Sequence, residues 1–264
     1  GYAIPESDRT SKGTPIQNVL NLDQGEKIMS IISLDDYHEE HYLFFITVNG
    51  IVKRTKLSEF ASIRQNGKIA ISLREGDALL DVKHTDGETL VGLASSNGKM
   101  VKFLESDVRA MGRTAAGVKG MSTGGAPVVS ATTSLEGEMI LAITQRGYGK
   151  MSPSESYRLT KRGAKGVLTI NTTEKNGKLV ALRAVQGNED LMIITAGGII
   201  IRIPLEQVKI AGRNTQGVRV IKLDGRQKVA SIAIVPHDEI GEEVEGTEET
   251  ENTANGEEIT ADIE

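Results

Sequence analysis

The 264-residue sequence contains no cysteine and no tryptophan, and aromatic side chains make up only 3% of it. Without cysteine there can be no disulfide, no thiolate zinc site and no cysteine nucleophile. So few aromatic side chains argue against a protein that binds single-stranded nucleic acid by stacking on its bases. No apolar run approaches the ~18 residues of a membrane-spanning helix, and no signal peptide is visible. We therefore expect a cytoplasmic protein that binds no membrane.

Charge is distributed unevenly along the chain. The formal net charge is −5, from 31 basic and 36 acidic residues. Residues 236–264 contain twelve of the acids and no lysine or arginine, so the remaining 24 acids and 31 bases give residues 1–235 a net charge of about +7. A segment of such acidic composition cannot bury enough apolar surface to fold. We expect a disordered acidic tail at 236–264 attached to a basic domain at 1–235.

Glycine recurs in two series with a period of about 50 residues. The first series follows an apolar run and comprises Gly50, Gly98, Gly147 and Gly198. The second series lies 17 to 19 residues later and comprises Gly67, Gly117, Gly166 and Gly217, with Gly13 as an additional member before the first complete repeat. A period near 50 residues is typical of propeller arrays, in which one repeat cannot bury its own faces alone.

Each complete repeat predicts four β-strands. The first is a nearly continuous apolar run, such as Met139–Thr144, which suits a strand buried on both faces. The first-series glycine then turns the chain into a second strand, and Asn49-Gly50 is a strong hairpin signal. A polar stretch follows, which opens with one short helical turn capped by a side chain. It leads to the second-series glycine, where the third strand begins, and a fourth strand closes the unit. The predicted third strands are Lys68–Leu73, Val118–Met121, Val167–Ile170 and Val218–Leu223.

Four strands in about 50 residues correspond to one propeller blade. The sequence therefore predicts an all-β fold, a β-propeller with blades at residues 35–84, 85–134, 135–186 and 187–235. Residues 1–34 supply only the second half of a further blade. Because the sequence begins inside a repeat and without methionine, we expect it to be part of a longer chain.

Basic side chains recur around the same turn of every repeat. An arginine stands four residues before the second-series glycine, or three where the gap is shorter; these are Arg9, Arg64, Arg113, Arg162 and Arg213. A second base lies within two residues of that glycine; these are Lys12, Lys68, Lys119, Lys165 and Arg219. A third follows the first-series glycine; these are Arg54 (with Lys53 beside it), Lys102, Lys150 and Arg202. We expect these three series to form a binding surface.

Equivalent positions of a radial array lie on one rim, so the bases predict a curved basic stripe. A base beside the N–H groups of a glycine turn is a good phosphate ligand. Evenly spaced phosphate contacts on a curved edge can bend a duplex without reading its sequence, so sequence-independent duplex DNA is the expected partner. Two alternatives stay open. The arginines could brace neighbouring blades through carboxylates such as Glu59, Asp107, Glu155 and Glu206, or the rim could bind acidic proteins.

Motifs for catalysis or metal binding are not evident in the sequence. His38 and His41 lie in an acidic segment without a third ligand, which indicates a solvated loop, and His84 and His237 are isolated. There is no nucleophile elbow, P-loop or dinucleotide fingerprint with the expected flanks. We therefore expect no catalysis, no metal and no cofactor in these residues.

Several segments resemble the C-terminal domain of the A subunit of bacterial DNA gyrase. They include Asn49–Thr55, Ser106–Gly120, Gln145–Lys150 and Arg213–Val218, and the likeness runs in order through residues 2–235. The resemblance implies a six-bladed β-pinwheel, a propeller variant in which blades exchange strands, with an outer rim that bends and wraps duplex DNA. The family's gyrase box, a QRRGGKG-type heptapeptide, is not found, and Arg162–Gly166 is a degenerate relative of it. Without the box, we expect DNA to be bound and bent but poorly wrapped.

The resemblance also implies a place in a larger enzyme. In that family the wrapped DNA is presented to the strand-passage core of an A₂B₂ assembly with gyrase B, where ATP and Mg support negative supercoiling. The breakage–rejoining tyrosine and the ATP site lie outside this fragment. A nucleoid-associated cytoplasmic location and a tail that regulates wrapping follow from the same resemblance. The A subunit of topoisomerase IV, which decatenates DNA, has a related domain and is the alternative.

Overall fold

The computed structural model describes residues 12, 15, 18, 22, 25–34, 36–62, 67–223 and 227–237. These residues form four antiparallel sheets. The strands are β1 (Tyr42–Thr47), β2 (Ile51–Lys56), β3 (Leu79–Thr85), β4 (Leu90–Ser95), β5 (Lys99–Leu104), β6 (Val118–Lys119), β7 (Val128–Thr133), β8 (Met139–Thr144), β9 (Tyr148–Pro153), β10 (Val167–Leu168), β11 (Leu179–Val185), β12 (Glu189–Thr195), β13 (Ile200–Pro204), β14 (Val218–Arg219) and β15 (Val229–Pro236). The predicted all-β architecture is confirmed.

A short 3₁₀ helix follows the second strand of each repeat, as the sequence predicts. The four helices span Leu57–Phe60, Glu105–Asp107, Ser154–Ser156 and Leu205–Gln207. The expected side-chain cap is wrong, because none of the four makes a side-chain cap hydrogen bond. In three of them the first residue is instead buried against the sheet, namely Leu57, Glu105 and Leu205.

Neighbouring blades exchange strands. The first three sheets have the orders β3-β1-β2-β6, β7-β4-β5-β10 and β11-β8-β9-β14. In each, three strands belong to one repeat and the fourth, two residues long, comes from the next repeat. Val118 pairs with Val52, for example, and Val218 pairs with Gly149. The last sheet, β15-β12-β13, has no exchanged strand within the described residues. The exchange that the resemblance implies is therefore present.

The core lies between successive sheets. One apolar cluster joins Phe44 and Val52 of the first sheet to Leu93 and Phe103 of the second. Along β8, alternate residues belong to different clusters: Ile140 and Ala142 pack towards the second sheet, and Leu141 and Ile143 pack towards the fourth. A strand that supplies both clusters must be apolar at successive positions, which explains the continuous apolar runs of the sequence.

Both glycine series lie where strands are exchanged. The carbonyl oxygen of Gly147 accepts hydrogen bonds from the N–H groups of Val220 and Ile221, just beyond β14, at 2.9 and 3.2 Å. At the other end of β14, a Cβ on Gly217 would lie 2.6 Å from the carbonyl oxygen of Gly149. Among the described residues, Gly198 receives no exchanged strand and Gly67 donates none, and no atom of those residues lies within 4 Å of a Cβ placed on either glycine. Glycine at the positions of exchange therefore allows the backbone of the exchanged strand to lie close to the strand that it pairs with.

The third strands are shorter than predicted. Val118–Lys119, Val167–Leu168 and Val218–Arg219 pair over two residues each, and residues 68–73 are not a strand. Arg9, Arg64 and Gly13 lie outside the described residues. Of the expected tail at 236–264, Pro236 ends β15 and His237 contacts Asp190, and residues 238–264 lie outside the described residues.

Candidate nucleic-acid interface

The first basic series bridges neighbouring blades. Nη1 of each of the three arginines of this series that the structure describes donates a hydrogen bond to a backbone carbonyl two residues beyond the second-series glycine of the preceding repeat. The pairs are Arg113 with Ile69 at 3.3 Å, Arg162 with Lys119 at 3.2 Å, and Arg213 with Leu168 at 3.0 Å. The arginines therefore hold the region of the exchanged strand in place, which supports a bracing role.

The bracing acceptors differ from those expected. Nε of Arg162 donates to the backbone carbonyl of Asp107 at 3.0 Å, whereas the Asp107 carboxylate accepts a hydrogen bond from Lys161. The arginines therefore donate their hydrogen bonds to backbone carbonyl oxygens rather than to carboxylates. Since a guanidinium carries five N–H donors, an exposed arginine such as Arg162 can bridge blades and still bind an anion. Bracing and phosphate binding are therefore compatible at this position.

The third basic series is a correction to the predicted rim. Nζ of Lys150 donates to the carbonyl of Gly212, and Nζ of Lys102 donates to that of Ser154 at 2.7 Å. Arg202 forms an ion pair with Asp190 at 2.6 Å. These bases lie on the second strand, and the polar stretch of the next repeat crosses over the strands that carry Lys102 and Lys150. The charges of Lys102 and Lys150 are directed towards backbone oxygens beneath that stretch, so we remove these two lysines from the candidate interface, whereas Arg202 stays exposed.

Arg54 belongs to the same correction and has a separate role. Its guanidinium lies 3.6 Å from the Glu105 carboxylate and 4.3 Å from the centroid of the Tyr42 ring. Glu105 is completely buried and also accepts hydrogen bonds from Thr85 Oγ1 at 2.7 Å and from the N–H of Gly87 at 2.7 Å. Arg54 is therefore the counterion of a buried carboxylate that fastens the β3–β4 turn.

Burial lowers the pKa of three lysines in the third series, Lys53, Lys102 and Lys150. Loss of hydration disfavours the charged form and lowers the pKa of Lys150 to about 8, with the nearby charge of Arg213 acting in the same direction. Lys53, whose Nζ donates to the carbonyls of Ala70 and Arg113, likewise has its pKa lowered to about 8, mainly by burial. Lys150 and Lys53 are therefore expected to lose a proton at a lower pH in the folded state than in the unfolded chain.

Lys150 gives a pH dependence with a definite sign. Between its folded pKa of about 8 and its ordinary value of 10.5, the unfolded chain holds more protons, so stability rises with pH. Relative to Lys150→Met, the unmodified chain should gain up to about 1.4 kcal/mol per pH unit over this window. Urea denaturation between pH 7 and 11 measures the difference. Lys119→Met, at an exposed position, is the control for the loss of a lysine side chain. A flat profile for Lys150 would contradict the assigned shift.

The second basic series supplies exposed charge. The side chains of Lys12, Lys119, Lys165 and Arg219 are exposed. Lys68 is half-buried, and its Nζ donates to the carbonyl of Glu59 at 3.2 Å. Nη2 of Arg219 also donates to the Tyr148 hydroxyl at 3.2 Å, which holds the guanidinium over the ring. Together with Arg162, the exposed members form the candidate nucleic-acid interface.

A fourth basic series was not predicted from the sequence. Eight residues before the second-series glycine stand Arg109, Arg158 and Lys209, and all three are exposed. Their spacings of 49 and 51 residues match the repeat period and were sufficient to find them. The residue that follows each of them is apolar and exposed, namely Ala110, Leu159 and Ile210.

The histidines are less isolated than predicted. His41 Nδ1 lies 2.9 Å from His84 Nε2, and His237 Nδ1 lies 2.7 Å from Asp190 Oδ1. The contact with Asp190 raises the pKa of His237. Within the described part of the chain, no three metal-ligating side chains come together. In the same residues, no helix has the length and apolarity needed to cross a membrane.

Repeated four-stranded sheets, each completed by a strand from the next repeat, define this protein as a β-propeller of the strand-exchanging kind. The family model described as "DNA gyrase C-terminal domain, beta-propeller" matches residues 1–35, 41–86, 93–133, 138–186 and 189–236. The chain belongs to this family.

Curated relatives agree with the family model. The chain is 44% identical to the DNA gyrase A protein of Ureaplasma parvum over 244 residues, which are 92% of this chain and 29% of the relative. It is 46% identical to the DNA gyrase A protein of Metamycoplasma arthritidis over 228 residues, 86% of this chain and 25% of the relative. The chain therefore spans less than a third of the length of these relatives.

Solved structures share the fold. The C-terminal domain of DNA topoisomerase IV superposes with a TM-score of 0.79 at 28% identity, covering 85% of this chain and 71% of that one. The DNA gyrase A C-terminal domain superposes with a TM-score of 0.75 at 24% identity, covering 86% and 75%. The predicted propeller class and the resemblance to gyrase A are confirmed.

Proposed function

We propose that this chain binds duplex DNA on its basic rim and bends it without reading its sequence. The observation that carries the proposal is the recurrence of exposed bases at equivalent positions of strand-exchanged blades. Phosphate contacts at a regular interval on a curved surface favour a curved path for the duplex. The identity to DNA gyrase A proteins supports this function over binding of acidic proteins.

We further propose that the bent DNA is delivered to a strand-passage core, formed by the rest of a gyrase A protein with gyrase B in an A₂B₂ assembly. ATP-dependent negative supercoiling would then be the activity of the assembly, and the chain itself would contribute DNA geometry. A cytoplasmic, nucleoid-associated location follows from this role. The acidic tail would compete with DNA for the rim and so modulate wrapping.

A topoisomerase IV type of role is the second candidate. It is supported by the superposition on the topoisomerase IV C-terminal domain, at 28% identity. The two roles differ in the product: a gyrase-type domain should support negative supercoiling by its assembly, whereas a topoisomerase IV-type domain should support decatenation. Joining the chain to a gyrase A core, with gyrase B and ATP, and assaying relaxed plasmid against linked circles separates the two.

Salt dependence of DNA binding tests the proposed function. With about 5–8 phosphate contacts, the slope of log K against log salt concentration should be about −5 to −7, at ~0.9 per contact. Energy transfer between the labelled ends of a ~100 bp duplex should rise on binding, because the duplex is bent. Removing residues 238–264 should raise the affinity, most strongly at low salt. Heparin that binds as tightly as the duplex, with no change in energy transfer, would favour an acidic-protein partner instead.

A further inference from the structure

A base and an apolar residue project together from the polar stretch of three repeats. The pairs are Arg109-Ala110, Arg158-Leu159 and Lys209-Ile210. Leu159 is 54% exposed and Ile210 is 60% exposed, whereas most large apolar side chains of this fold are buried. A single exposed apolar residue is ordinary, but one that follows a base at the same position of successive blades is a repeated surface feature.

The backbone of each pair is fixed to the preceding blade. The residue after each apolar side chain donates its N–H to the second strand of that blade: Met111 to Arg54 at 2.8 Å, Thr160 to Lys102 at 2.8 Å, and Ala211 to Met151 at 2.9 Å. Because these three hydrogen bonds are equivalent, the pairs are presented in the same way from blade to blade. They are features of the blade junctions and not of loops with independent conformations.

The basic side chains of these pairs are uncommitted. In the described part of the chain, Arg109, Arg158 and Lys209 make no side-chain hydrogen bond or ion pair. The arginines of the bracing series differ, since Arg113, Arg162 and Arg213 all donate to carbonyl oxygens. An anion therefore meets no internal competitor at the fourth series, whereas at the bracing series it shares the guanidinium with the protein.

The surroundings of the last pair suit a sugar–phosphate backbone. Ile210 and Arg213 line an open groove of about 490 Å³ together with the hydroxyl-bearing residues Ser152, Ser156 and Thr215. The three hydroxyls already donate to backbone carbonyl oxygens, so the phosphate donor of this groove is the Arg213 guanidinium, and Ile210 can pack on the carbons of a deoxyribose. This groove therefore places a cationic donor and an apolar side chain side by side, as binding of a phosphate and its neighbouring sugar requires.

We propose that the pairs Arg109-Ala110, Arg158-Leu159 and Lys209-Ile210 are the principal contacts to the DNA backbone, in which the base binds a phosphate and the apolar side chain packs on an adjacent deoxyribose. The bracing arginines then mainly keep the blades in register. This inference rests on the proposed function, since it names the residues that hold the duplex. None of these contacts reaches a base edge, so sequence-independent binding follows.

Removing the three charges tests the phosphate contacts. The variant Arg109→Gln/Arg158→Gln/Lys209→Gln should bind a ~100 bp duplex with a salt slope less steep by about 2.7, at ~0.9 for each lost phosphate contact. The matched control is Lys99→Gln/Arg146→Gln/Lys178→Gln, three exposed bases near the first-series turns, and it should change the slope by less than about 1. Equal slopes for the two variants would overturn the proposal.

Removing the apolar contacts gives a different signature. Leu159→Ser/Ile210→Ser should weaken binding by about tenfold at every salt concentration, with the slope unchanged because no ion is released. The control Leu73→Ser/Leu135→Ser alters two other exposed leucines and should bind as tightly as the unmodified chain. If Leu159→Ser/Ile210→Ser binds the duplex with the same affinity as the control variant, the proposed contact with deoxyribose is wrong. If the unmodified chain fails to bind duplex DNA, the proposed function itself fails, and that outcome does not depend on any variant.

Discussion

Replacing Glu105 with alanine is expected to lower the free energy of unfolding by about 3–5 kcal/mol. The carboxylate is completely buried and accepts hydrogen bonds from Thr85 Oγ1 and from the N–H groups of Gly87 and Thr89. Its removal leaves these donors without a partner and leaves Arg54 as a buried charge without its counterion. Urea denaturation of the chain measures the loss.

The repeats themselves provide the controls for Glu105. The equivalent position is Leu57 in the preceding repeat and Leu205 in the last one, and both leucines are buried. Glu105→Leu restores the apolar volume but not the acceptor, so it should recover only part of the lost stability. Glu155→Ala removes an exposed carboxylate from the next 3₁₀ helix and should cost less than about 0.5 kcal/mol. A loss below about 1 kcal/mol for Glu105→Ala would contradict the assigned network.

Gly217→Ala is expected to destabilise the chain by about 3 kcal/mol, because two costs combine. The residue has φ +74°, which disfavours any side chain, and its Cβ would lie 2.6 Å from the carbonyl oxygen of Gly149 on the strand that receives β14. Since the obstructing atom is backbone, the exchanged strand itself must move. Thermal and urea denaturation measure the loss.

Gly67→Ala is the matched control for Gly217→Ala. Gly67 has nearly the same backbone conformation, with φ +69°, but no atom of the described residues lies within 4 Å of its Cβ position. Only the backbone strain remains, at about 1 kcal/mol. Equal losses for the two variants would mean that the glycine series serves turn conformation alone and has no role in strand exchange.

Much of the fold was accessible from the sequence because its signals are local. Apolar runs, glycine turns and the 50-residue period predict the first, second and fourth strands of each repeat. The length of the third strand was not accessible, because only two residues of each, such as Val118 and Lys119, find a partner, and that partner lies in another repeat. Pairing over such a distance leaves no pattern in the segment itself.

The candidate site was only partly predictable, for the same reason. Lys150 and Lys102 read as surface bases, since nothing near them in sequence shows that the next repeat covers their strands. Glu105 similarly resembled the exposed acids of the other 3₁₀ helices, although it is buried. Conversely, Arg109 and Arg158 could have been found from the period alone, and the bracing of Arg162 required coordinates because its acceptors are backbone oxygens.

Strand exchange also bears on how such an array can change its length during evolution. Each donated strand lies a similar distance downstream of its acceptor: Val118 pairs with Val52, Val167 with Met100, and Val218 with Gly149, at separations of 66, 67 and 69 residues. Inserting or deleting one whole period would join a donor to an equivalent acceptor. A deletion that removes a donor strand without its acceptor, or an acceptor without its donor, would leave one blade without its fourth strand or one strand without a blade. Duplication in whole periods is therefore the route by which blades can be added.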